Sequence, residues 1–153
     1  TQIIAAYRKA NPKAKPFDLF SFISTVSTRQ NAVVQAELKS AQNAAPAYLY
    51  LFTWQTPVLD GRPKAFHCAE LAFVFDNIDR CVNMTGGGAD ARALAARMSE
   101  AWIAFARKGD PNHAGLPKWP AFSADKGATM IFDNKCEVKN NPDGPERNTV
   151  TLA

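Results

Sequence analysis

The chain has 153 residues, with eighteen Lys or Arg against fourteen Asp or Glu, a formal charge of +4, and 46% hydrophobic residues that include ten Phe and three Trp. That length fits one domain with a sizeable core, and that apolar content excludes a disordered chain. No apolar run reaches the roughly 20 residues of a membrane span, and the mild basic cluster of Arg8, Lys9, Lys13 and Lys15 lacks the dense basic stripe with interleaved aromatics that nucleic-acid binding demands, so it reads as a solvated basic turn.

In chain order, residues 2–10 have helical composition, and Asn11-Pro12 breaks the helix. Phe17, Leu19, Phe20, Phe22 and Ile23 follow Pro16 as an apolar cluster that predicts a short helix. Residues 29–43 predict a third helix, with Ala32, Val33, Ala36 and Ala41 near helical spacing, and Ala45-Pro46 ends it. Residues 47–54, AYLYLFTW, are a continuous run of strand formers. Such a run predicts a strand buried on both faces of a sheet. A turn-rich loop at 57–64 precedes a histidine and a predicted helix over 65–77, and residues 78–90 read as a loop around Gly86-Gly87-Gly88.

The clearest helix covers residues 90–108. Leu94, Met98, Ala101, Trp102 and Phe105 form an apolar stripe, with Asp90 as the expected N-cap. Arg107 and Lys108 complement the C-terminal dipole, Gly109 suits the C′ position, and Pro111 stops continuation. KWPAF at 118–122 reads as an extended segment docked by Trp119, and residues 129–133 and 135–139 as a late hairpin around Asp133-Asn134. The tail is polar and turn-rich. One apolar strand with a single late hairpin does not make a closed sheet, which implies sheet neighbours outside these residues.

Little in the chain carries chemistry by itself. Cys68, Cys81 and Cys136 are odd in number; a Cys68–Cys81 bridge is open, and no Cys-x-x-Cys pair invites a metal, so neither metal nor cofactor is expected. His113 sits in a polar loop and reads as solvent-exposed. His67 stands just past the buried strand, and the ends of such strands line the crevice where ligands bind in α/β sheets. A histidine base needs a nucleophile, yet no G-x-S-x-G elbow is present. The glycine triplet follows Thr85, not a histidine, and reads as a surface loop. Glu70, three residues after His67, would share its face on a helix and is expected to be structural.

The ordered segments AYLYLFTWQTP, KAFHCAELAFVFDN, ALAARMSEAWIAFARKGDPN, LPKWPAF and ATMIFDN resemble the C-terminal part of type B carboxylesterases, the group of para-nitrobenzyl esterases and, more distantly, cholinesterases. The resemblance spans most of the chain and is most specific from Tyr48 to Phe132. It departs at Ala72, where the family often has proline, and at Thr25-Val26-Ser27-Thr28, where an Asp-x-x-Phe-like segment is expected.

The resemblance implies an α/β class, with residues 1–153 as the C-terminal fragment of a single α/β-hydrolase domain, mostly helical with a central buried strand and a late hairpin. It implies that His67 is the catalytic general base of a serine carboxylesterase acting on a small-molecule carboxylic ester, with serine and acid upstream of Thr1. The fragment alone is expected to be inactive and to meet the missing N-terminal part of the same protein, or to oligomerise through its exposed sheet edge. Two other readings are a non-catalytic binding or adhesion protein on the same fold, which retention of the His67 motif disfavours, and a small helical partner-binding module, which the strand at 47–54 disfavours.

Overall fold

The computed structural model describes residues 2–149. They form two compact units. One contains residues up to Ala47 together with 122–127 and 140 onward; the other contains Tyr48–Ala121 and Ala128–Lys139.

In the first unit, α1 (Gln2–Ala10), α2 (Pro16–Ser24) and α3 (Val26–Ala41) follow one another with short breaks. Pro16 starts α2, where its missing N–H is no loss, and Lys15 N–H donates to Asp18 Oδ2 at 2.8 Å. Tyr7, Leu19 and Val26 are the buried seam. The tail returns as α7 (Gly144–Arg147). Its Asp143 accepts from Tyr7 Oη at 3.2 Å and forms an ion pair with Arg29 at 2.5 Å, while Arg147, 2% exposed, reaches Gln30 Oε1 and Asn141 Oδ1. A buried guanidinium is tolerated only with such a full set of acceptors.

In the second unit, β1 (Leu49–Phe52), β2 (Ala128–Phe132) and β3 (Glu137–Asn140) lie in the order β1-β2-β3, β1 and β2 being parallel. The burial expected of 47–54 belongs to β2: every β2 residue is buried, whereas all four of β1 are half-buried. The reason is position, since β1 occupies an edge of the three strands described. The hairpin of β2 and β3 is present as expected. The 20-residue helix α6 (Ala89–Lys108) covers the sheet with Ala91, Leu94, Ala95, Met98 and Ala101. Gly88, not Asp90, is its N-cap, and Asp90 instead accepts from Trp54 Nε1 at 3.3 Å. Gly109 closes it in the left-handed conformation, φ +70°, as its position predicts.

Interlocked rings fill the core. Tyr50 meets Trp102 edge-on at 5.1 Å, and Trp119 meets Phe132 at 5.6 Å. Such contacts add about 1 kcal/mol each beyond area burial. The loop after α6 folds back onto it, so His113 is not exposed as expected: its side chain is 6% accessible. Its Nε2 lies 3.0 Å from the Arg97 carbonyl, and its Nδ1 accepts from Gly115 N–H at 3.1 Å. Among the described residues, no helix is long and apolar enough to cross a membrane.

Candidate active site

The segment that presents His67 starts where β1 ends. Thr53 and Trp54 N–H both donate to the Phe132 carbonyl, at 2.9 and 3.2 Å, so the chain leaves the sheet along β2. Thr56, 2% exposed, then pins the loop: its hydroxyl donates to the Met84 carbonyl at 2.6 Å and accepts from Val58 N–H at 3.2 Å. The glycine triplet packs behind this loop. A Cβ on Gly86 would meet Pro57 Cγ at 2.8 Å, and Gly86 and Gly87 both hold positive φ. The triplet is thus a tight turn between α5 (Val82–Thr85) and α6, demanded by close packing.

Four non-glycine residues in this stretch hold left-handed backbone: Leu59, Asp60, Lys64 and Cys68. Each costs of order 1 kcal/mol, and such residues cluster where the chain must place a side chain in a particular direction. Cys68 is the nearest, at φ +66° directly after His67. Residues 67–70 are therefore turns and not the start of the expected helix, which is reduced to the single turn α4 (Leu71–Val74).

That turn is anchored by Phe73, which is fully buried with its ring 5.0 Å from Phe52 and 4.9 Å from Trp54. Ala69 and Ala72 are buried beside it. His67 itself is exposed, and no hydrogen bond ties its ring to another described residue. The backbone turn at 67–70 is what places this imidazole at the surface.

Glu70 lies elsewhere. It makes no ion pair or hydrogen bond with His67, and the 67–70 turn removes the helical register that would have joined them. Its carbonyl accepts from Phe73 N–H at 3.0 Å and Val74 N–H at 2.9 Å. Burial foremost, and then the Glu70 charge, push the Tyr50 phenol above its usual value. Cys68 and Cys81 are half-buried and Cys136 is buried; all three are free thiols. Burial is also the main reason the Cys136 thiol is pushed up.

The described residues thus supply one exposed imidazole on a strained, well-anchored turn. Residues 2–150 match the carboxylesterase family. The chain belongs to that family. It is 37% identical over 110 residues to a phenmedipham hydrolase of Pseudarthrobacter oxydans, covering 69% of this chain and 22% of that protein. It is 33% identical over 118 residues to a para-nitrobenzyl esterase of Bacillus subtilis, covering 76% of this chain and 23% of that one. A carboxylesterase structure from Geobacillus stearothermophilus superposes with a TM-score of 0.79 at 34% identity, over 99% of this chain and 32% of the other. A para-nitrobenzyl esterase structure gives a TM-score of 0.73 at 28% identity, over 99% of this chain and 33% of the other. The chain therefore has the fold of part of an α/β-hydrolase and spans less than a quarter of the length of these two curated relatives.

Proposed function

We propose that this carboxylesterase-family chain is the C-terminal part of a single hydrolase domain that cleaves carboxylic esters, and that His67 is its general base. The observation that carries this reading is the presentation of His67: an exposed imidazole in the segment that follows β1, on a turn that leads into α4, whose Phe73 packs against Phe52 and Trp54. Imidazole suits the role because its ordinary pKa lies near neutral pH, so it accepts and returns a proton with little bias.

One ring nitrogen takes the hydroxyl proton as a serine oxygen attacks the ester carbonyl, and the C–O bond to the alcohol then breaks as that proton passes to the leaving oxygen. A water deprotonated by the same nitrogen hydrolyses the acyl-enzyme, and the proton returns to serine. The other ring nitrogen donates to a carboxylate that fixes the tautomer. Residues 1–153 contain no G-x-S-x-G elbow, so serine and carboxylate come from sequence N-terminal to this stretch. The half-buried β1 edge and the exposed Leu71 and Phe75 are apolar surface for that missing part to cover. In the isolated chain the same open edge is a template for pairing with a second copy.

The test is labelling by a serine-directed organophosphonate together with p-nitrophenyl acetate turnover. The 153-residue chain takes up no label and gives no burst, while the longer protein does both. Stoichiometric labelling of the short chain overturns the reading. A longer protein without serine at its elbow points instead to a binding role for the fold.

A further inference from the structure

The α1–α2 pair carries an exposed apolar surface. Helix α2 has the sequence PFDLFSFIS, yet it buries only Leu19. Phe17 and Phe20, three residues apart and so on one face, are 56% and 66% exposed, with rings stacked at 6.2 Å. Single exposed apolar side chains are ordinary, but two protruding phenyl rings side by side mark a contact surface. Ile4 of α1, also exposed, lies with Phe20, Ile3, Leu19 and Arg8 along a groove of about 390 Å³ between the two helices. That is within the size of ligand clefts.

The same stretch of chain is basic. Arg8, Lys9, Lys13 and Lys15 are all exposed, and from residue 2 to 24 the only acidic residue is Asp18, which caps α2 by accepting from Lys15 N–H. Protruding rings on a stretch with exposed cations and one acid suit a soft, negatively charged medium more than a rigid partner. Phenyl rings that stand out from the surface need something to enter, and flexible Lys side chains reach headgroups at varied heights.

We infer that α1 and α2 form a docking surface for an anionic lipid bilayer, Phe17 and Phe20 entering the interface and Arg8, Lys9, Lys13 and Lys15 meeting the headgroups. The protein rests on the membrane by this surface. Neither His67 nor ester cleavage is needed for the interaction, so it stands or falls separately from the catalytic reading.

Co-sedimentation of the full-length protein with vesicles tests this, using phosphatidylcholine alone and phosphatidylcholine mixed with phosphatidylserine. Binding is expected to the anionic vesicles and to fall at least about tenfold on neutral vesicles or in high salt. F17S/F20S, with unchanged circular dichroism, is expected to bind about tenfold more weakly. K9E/K13E, which leaves the apolar packing untouched, is expected to bind at least about twentyfold more weakly, each cation contributing about fivefold. Equal binding by F17S/F20S and the parent assigns adhesion to other apolar surface and overturns the proposal. So does absence of vesicle binding, including the case in which an oligonucleotide or an acidic protein is retained by the parent and F17S/F20S alike.

Discussion

Cys68 shows how a single backbone angle shapes this site. Its left-handed conformation stops the helix from beginning at His67 and leaves the imidazole on a turn, while Phe73 supplies the anchorage that a longer helix would have given. The tyrosines carry the clearest electrostatic signature. Tyr7, Tyr48 and Tyr50 are the only three in the chain, and burial leads the causes that raise all of them, with Asp143, Asp110 and Glu70 adding negative charge. A raised folded-state value favours the neutral phenol, so the stabilisation is fully present below the ordinary value of about 10 and is lost as pH rises above it. In an alkaline titration we expect little phenolate absorbance at about pH 10 and a cooperative rise, coincident with unfolding, well above it. Half-ionised tyrosines at that pH in folded protein would contradict the burial described for them.

Among the elements, α6 was the most legible in sequence because everything that defines it is local: the apolar stripe, Arg107 and Lys108 in the last turn, Gly109 and Pro111. The late hairpin was legible for the same reason. The tail was not. It reads as a polar turn because the partners of Asp143 and Arg147, namely Tyr7, Arg29 and Gln30, lie more than a hundred residues away in sequence. Among the described residues, Asp143 pairs with both the Arg29 and the Arg147 guanidiniums. We expect Asp143→Ala to destabilise the helical unit by about 3 kcal/mol or more, because it leaves a nearly inaccessible guanidinium uncompensated. Urea unfolding followed by helical circular dichroism measures this, and a change within about 0.5 kcal/mol would show that the cluster is a surface feature.

At the scale of the whole molecule, the sequence of β1 says more than its own surroundings do. Its apolar run predicted burial on both faces, and these residues leave it half-buried at the edge of three strands. We propose that the run belongs to a larger sheet, since this chain covers less than a quarter of the length of these two curated relatives. His67 was legible only through its motif and its place after the strand, since one histidine without partners has no local pattern. The burial of His113 was not legible, because the return of its loop onto α6 is a tertiary event. We propose that His67 moves the proton for a serine elsewhere in the same protein. Burst kinetics of the full-length protein with p-nitrophenyl acetate, compared with its His67→Gln variant, test it most directly. The account predicts a stoichiometric burst in the parent and a loss of at least about 10⁴-fold in acylation rate in a variant that still folds; a variant that acylates at the parental rate would contradict it.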